Sequence, residues 1–125
     1  MYEANFDGSS KGNPGPSQIG FVITNNGKEV YSLATPIVDG TNNVAEYKAL
    51  IATAKELVEM EVDEVVIRGD SLLVVNQVNG LWKIKKDHLK DLANDALTYL
   101  NKIPKWELEW ISRDKNSAAD SLAQG

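Results

Sequence analysis

The sequence predicts a mixed α/β domain: a five-stranded sheet with flanking helices, in the order β-β-β-α-β-α-α-β-α. Three observations lead there. The opening third alternates apolar and polar residues around Asn26-Gly27, a strong two-residue hairpin signal. From Asn43 the apolar residues recur at helical spacing. After that helix, short strand-like runs interleave with helical ones.

Taken in order, Tyr2 to Asp7 alternates with Tyr2, Ala4 and Phe6 on one face, then meets a turn-rich segment from Gly8 to Ser17. Ile19 to Thr24 and Val30 to Ala34 complete an antiparallel meander. Tyr47, Leu50, Ile51, Ala54, Leu57 and Val58 mark one face of a long helix that opens at the capping side chains Thr41-Asn42-Asn43 and ends near Met60. Val65-Val66-Ile67 is a β-branched run suited to a buried parallel strand. Asp70-Ser71 starts a short helix over Leu72 to Val78, which Gly80 breaks. A basic, irregular connection around Trp82 and Lys83-Ile84-Lys85-Lys86 leads to a second long helix, marked by Leu89 to Leu100 and stopped near Pro104. Trp106, Leu108 and Trp110 alternate with two glutamates as a one-faced strand, and a helix over about Ser117 to Ala123 closes the chain.

At 125 residues with 42% hydrophobic content, the chain reads as one domain over 1–125 with enough apolar material for a core. It has no cysteine, so no disulfide framework is possible. The N-terminal stretch lacks the basic and apolar regions of a signal peptide, and no apolar run approaches the roughly 20 residues of a membrane span. A soluble cytoplasmic protein without a membrane partner is expected, and no obligate protein partner is evident. The net charge of −5 argues against broad attraction to a polyanion, but the charge is uneven. Residues 1–64 carry 4 Lys/Arg against 10 Asp/Glu, whereas residues 65–125 carry 9 against 8, with four of those nine between Lys83 and Lys90.

Position singles out four acids from a surface where most carboxylates are merely solvated. Asp7 ends the first strand, Asp70 follows the Val65 to Ile67 strand, Glu46 sits in the first turn of the long helix, and Asp120 lies in the last helix. If the strands of Asp7 and Asp70 are neighbours, both carboxylates emerge at the sheet edge where ligands collect. Clustered carboxylates repel and raise one another's pKa unless a cation lies between them. Oxygen-only ligation without Cys or His suits a hard ion, Mg²⁺ or Mn²⁺. A pair of such ions points to a nuclease or phosphotransfer site.

Asp7-Gly8-Ser9-Ser10-Lys11-Gly12-Asn13-Pro14-Gly15-Pro16, Thr41-Asn42-Asn43-Val44-Ala45-Glu46, Gly69-Asp70-Ser71 and Asn116 to Ala123 resemble, in order, the four signature motifs of the type 1 ribonucleases H. The resemblance spans nearly the whole chain. It implies the ribonuclease H-like fold, with the same mixed five-stranded sheet, and cleavage of the RNA strand of an RNA/DNA hybrid to leave a 5′-phosphate and a 3′-hydroxyl. It also implies that Asp7, Glu46, Asp70 and Asp120 bind two Mg²⁺ ions, for which Mn²⁺ can substitute. In the family's scheme Asp7 bridges both ions, Asp120 helps hold the one that activates water, and Asp70 and Glu46 serve the leaving-group ion, Glu46 also meeting a 2′-hydroxyl.

The same resemblance assigns substrate contacts. Gly12, Asn13 and Gly15 form a turn whose backbone can approach a sugar closely, and Asn42 and Asn43 would reach base edges or sugars beside Glu46. Ser71 is counted with the substrate-binding residues, being part of the second aspartate motif. Trp82 and Lys83, with Lys85 and Lys86, would follow the DNA backbone, although Trp82 could equally belong to the core. Three departures stand out. Ile111-Ser112-Arg113-Asp114-Lys115 replaces a loop where many bacterial members carry a histidine. Arg113 cannot shuttle a proton near neutral pH but can hold a phosphate. Val44 and Leu72 stand where many relatives have Arg and Gln, which keeps activity on double-stranded RNA open as an alternative. A non-catalytic hybrid-binding module is the other alternative, and the presence of all four acids argues against it. His88, the lone histidine, is expected at the start of a helix in a solvated or capping role.

Overall fold

The computed structural model describes residues 1–124. Strands β1 (Tyr2–Ser10), β2 (Gly15–Asn25) and β3 (Lys28–Gly40) form the meander, followed by α1 (Asn42–Glu59), β4 (Glu64–Gly69), α2 (Leu72–Val78), α3 (Asp87–Leu100), β5 (Lys105–Trp110) and α4 (Ser117–Gln124). The sheet runs β3-β2-β1-β4-β5. β2 pairs antiparallel with both neighbours, while β1, β4 and β5 run parallel. Parallel neighbours require crossover connections, and α1 and the α2–α3 pair supply them. The expected mixed sheet and element order are present.

Register explains how the two faces differ. Asp7 pairs with Gly20 and Gly8 with Ile19, so these pairs alternate between faces. A Cβ on Gly8 would lie 2.2 Å from the Ala45 carbonyl oxygen, so one face receives α1 at backbone contact. A Cβ on Gly20 would lie 2.5 Å from Leu122 Cβ, so the other face receives α4. The core forms on the α1 side. Phe6, Phe21, Ile23, Tyr47, Leu50, Leu57, Val65, Ile67, Val74 and Leu100 are wholly or almost wholly buried there.

Two segments differ from the expectation. The meander strands are longer than the apolar alternation indicates: β1 continues to Ser10, and β3 runs through Pro36 to Gly40. β3 is an edge strand with most of its residues exposed, so polar residues and a proline are tolerated where a central strand would exclude them. Between β5 and α4 the chain forms a 3₁₀ turn, Arg113–Asn116, that carries no periodic apolar signal.

Candidate active site

The β1–β4 pairing places Phe6 opposite Gly69. Asp7, which lies inside β1 and does not end it, and Asp70, just past β4, therefore fall side by side at the same end of adjacent parallel strands. Glu46 arrives from the second turn of α1, not the first as the sequence predicts, because the helix is capped by Thr41 and its first turn starts at Asn42 and holds no acid. The Thr41 hydroxyl accepts from the Val44 amide at 3.2 Å. Ligand oxygens of Asp7, Glu46 and Asp70 lie within 4.8 Å of one another. The neighbouring cavity, about 290 Å³, is lined by these three acids with Gly8, Ser9, Asn42, Asn43, Ser71 and Arg113. A roomier cavity of about 480 Å³ lies at the start of β1, but its acids, Glu61, Asp63 and Glu64, are all exposed and carry no such cluster.

Burial makes the cluster unusual. Asp7 is 2% exposed and Glu46 is 5% exposed. The Gly8 amide donates to Asp7 Oδ1 at 3.0 Å and also to Glu46 Oε1. Asp7 Oδ2 and Glu46 Oε2 remain buried without any partner. Removal from water raises the Asp7 pKa to about 6, with the carboxylates of Asp120 and Asp70 adding to the rise and Glu46 opposing it. Burial, followed by Asp7, holds Glu46 well above the ordinary carboxylate range. Buried carboxylate oxygens are normally satisfied, so two orphaned ones facing a third acid fit a hard divalent cation by both charge and donor type.

Asp120 borders this group without joining the three-acid cluster. Its pKa is lowered, chiefly through the neighbouring Asp7 carboxyl, with Gln124 and Arg113 contributing. Arg113 Nε sits 3.4 Å from Asp120 Oδ1, and its own pKa is raised chiefly by that carboxylate. The guanidinium therefore stands at the mouth of the site as a fixed positive charge.

The expected substrate residues fall into two sets. Asn42, Asn43, Ser71 and Arg113 line the acidic cavity. Ser71 also caps α2, accepting from the Val74 amide at 3.3 Å. Asn13 and Asn42 bind the β1–β2 turn to the start of α1: the Asn42 amide donates to Asn13 Oδ1 at 2.9 Å, and the Ser10 amide donates to Asn42 Oδ1 at 2.8 Å. In that turn Gly12 has a φ of +89°, and a Cβ on Gly15 would lie 1.7 Å from the Lys11 carbonyl oxygen. Trp82 and Lys83 do not line the acidic cavity. The indole is 46% exposed, so Trp82 is a surface residue and not part of the core.

Sequence reasoning missed three features. A second cavity of about 390 Å³ adjoins the first through Asn42 and Asn43 and is completed by Asn13, Thr41, Lys86, His88 and Leu89. His88 thus faces a cleft continuous with the site, which its position at a helix start did not reveal. Trp110 Nε1 donates to the Asp70 carbonyl at 3.1 Å. Asn116 is 1% exposed and donates from Nδ2 to both the Phe6 carbonyl, at 2.9 Å, and Asp70 Oδ2, at 3.1 Å. An asparagine three places before the last helix's alanine-rich face was the available signal, but nothing in sequence tied it to Asp70.

Comparison with known proteins agrees with this geometry. Residues 5–125 match the family described as reverse transcriptase-like. The chain is 37% identical over 121 residues to ribonuclease HI of Halobacterium salinarum, covering 96% of this chain and 61% of that relative. It is also 37% identical over 119 residues to a bifunctional protein of Mycobacterium tuberculosis, covering 94% of this chain but 33% of the other. The chain thus spans less than two-thirds of these relatives' full lengths. Its fold superposes on the crystal structure of the H. salinarum ribonuclease H1 with a TM-score of 0.95 at 36% identity, covering 98% of this chain and 94% of that one. LC11-RNase H1, solved in complex with an RNA/DNA hybrid, gives a TM-score of 0.92 at 35% identity, with 99% and 94% covered. The chain belongs to the type 1 ribonuclease H family.

Proposed function

We propose that this chain is a divalent-metal-dependent endonuclease that hydrolyses the RNA strand of RNA/DNA hybrids, leaving a 5′-phosphate and a 3′-hydroxyl. The observation that carries the proposal is the pair of orphaned buried oxygens, Asp7 Oδ2 and Glu46 Oε2, beside Asp70. Asp7, Glu46 and Asp70, with Asp120 at the border, would hold two Mg²⁺ or Mn²⁺ ions. Such ions supply a water activated for attack and charge stabilisation for the departing oxygen.

The remaining parts of the site select and orient substrate. Asn13 and Asn42 each spend the side-chain oxygen on the fold and keep Nδ2 for a ligand. Asn42 and Asn43 line the acidic cavity, and the turn from Gly12 to Gly15, tied to Asn42 through Asn13, would offer its backbone to a sugar edge, where the 2′-hydroxyl separates RNA from DNA. Lys86 and His88 in the adjoining cleft, with Lys83 and Trp82 beyond, give the partner strand a basic and aromatic track. Arg113 holds a phosphate at the mouth of the site and leaves proton transfer to water. Hybrid complexed with the LC11 relative supports the choice of substrate.

A cleavage assay on labelled RNA/DNA, RNA/RNA and DNA/DNA duplexes with Mg²⁺ or Mn²⁺ tests the reading. The expected result is cleavage of RNA in the hybrid only, ending in 3′-hydroxyls, and none in EDTA. Absence of hybrid cleavage with either metal would overturn it.

A further inference from the structure

Asn116 is a buried amide with every polar atom in use, and the chemistry around it allows one orientation. The Phe6 carbonyl and the Asp70 carboxylate can only accept, so Nδ2 must face both. Oδ1 then points the other way, where Asn5 Nδ2 donates to it at 3.0 Å. Asn5 is half-buried on β1, two residues before Asp7 and paired in register with Arg68 of β4. The chain of bonds runs from Asn5 through Asn116 to Asp70 Oδ2, which leaves Asp70 Oδ1 for a cation.

The placement of Asn116 gives this chain of bonds its reach. It ends the 3₁₀ turn, precedes α4 directly, and stands one helical turn before Asp120. Its bond to Phe6 grips the residue next to Asp7. One buried amide therefore references three of the four acids to each other. Its own orientation depends on the single donor that satisfies Oδ1. Without that donor, Oδ1 is an unsatisfied buried acceptor and the amide loses the contact that resists rotation.

We propose that Asn5, acting through Asn116, is a positioning residue for the Asp70 carboxylate, and that the pair sets the affinity of the site for divalent metal. This rests on the reading of the acids as a metal site. Partners that orient metal-ligating carboxylates typically change metal affinity by about 10–100-fold when removed. Asn116→Leu should weaken Mn²⁺ binding by about tenfold or more, and Asn5→Leu, one bond further out, by about three- to tenfold.

The test is calorimetric titration of Mn²⁺ into the folded wild type, Asn5→Leu, Asn116→Leu and the double variant, with metal-free Tm recorded for each. Because Asn5 acts only through Asn116, the double variant should bind Mn²⁺ no more weakly than Asn116→Leu alone. KM for hybrid at saturating metal should stay within about twofold of wild type, as neither residue lies on the substrate path. Asn5→Leu with lowered Tm but unchanged Mn²⁺ affinity would overturn the proposal, as would additive losses in the double variant. If Asn116→Leu does not fold, Asn5→Leu alone decides by the same affinity criterion. Failure of the wild type to bind Mn²⁺ would instead overturn the metal-site reading itself.

Discussion

At the residue scale the site is held in opposition to stability. Asp7 and Glu46 are carboxylates that folding removes from water and from most hydrogen bonds. Their folded pKa values lie above ordinary ones, with Asp7 moved from 3.8 to about 6. The native state therefore binds more protons than the unfolded chain in this window. The stabilisation from Asp7 is complete below about pH 4 and is lost as pH rises through about 6, and Glu46, raised in the same direction, acts with the same sign. Metal-free protein should therefore lose the Asp7 contribution to thermal stability between about pH 4 and pH 6, and saturating Mg²⁺ should restore it. At a hundredfold excess over Kd the gain is about 2.7 kcal/mol, or several degrees in Tm. A metal-free Tm that rises over this interval, with no response to Mg²⁺, would contradict the assignment. Asp7→Asn makes the same point by substitution: it should abolish cleavage by at least about a hundredfold while raising the metal-free Tm at pH 7.5. The identities of these acids were legible in sequence because each falls in a motif near an element boundary, although Asp7 lies inside β1 and Glu46 in the second turn of α1. Their orphaned oxygens were not, since burial is a property of the assembled sheet and helix.

At the element scale, the close seat of α1 on β1 is what brings Glu46 to Asp7. Gly8 permits it: a Cβ there would lie 2.2 Å from the Ala45 carbonyl oxygen and 2.6 Å from the Glu46 amide nitrogen. Neither backbone atom can yield without moving the helix. Gly8→Ala should destabilise the protein by about 2–4 kcal/mol and abolish hybrid cleavage even where it remains folded, as followed by urea denaturation and the gel assay. Tyr47→Phe is the matching control on the same helix. The Tyr47 hydroxyl donates to Gln77 Oε1 at 2.6 Å in a wholly buried setting between α1 and α2. Its loss should cost about 1–2 kcal/mol in denaturation while kcat at 25 °C stays within about twofold. The helical and central-strand elements were readable because their apolar faces are set by burial. β3 and the 3₁₀ turn were not. β3 is mostly exposed, so alternation fades after Ala34, and the Arg113–Asn116 turn is held by contacts to β1 and Asp70 that lie more than forty residues away in sequence.

At the scale of the whole molecule, the net charge of −5 conceals a division of labour. Four of the 18 acids gather at one site, where two divalent ions would bring the loaded protein close to neutrality. The excess negative charge at Glu56, Glu59, Glu61, Asp63 and Glu64 lies toward the other end of α1. The basic run Lys83, Lys85 and Lys86 precedes α3, and Lys86 lines the cleft that continues the site. A polyanion is thus repelled by one end of the molecule and met by lysine at the other, so binding rests on few phosphate contacts. Each phosphate contact contributes about one unit to the slope of log affinity against log salt. The expected slope for hybrid binding is therefore shallow, on the order of two to four, set by Lys83, Lys86 and Arg113 with little help from the rest of the surface. Lys86→Ala should raise KM, reduce that slope by about one, and leave kcat at saturating hybrid unchanged, because the side chain touches no carboxylate of the cluster. KM measured from 25 to 200 mM KCl at fixed Mg²⁺ decides the matter, since a Lys86→Ala slope equal to wild type would remove Lys86 from the substrate path.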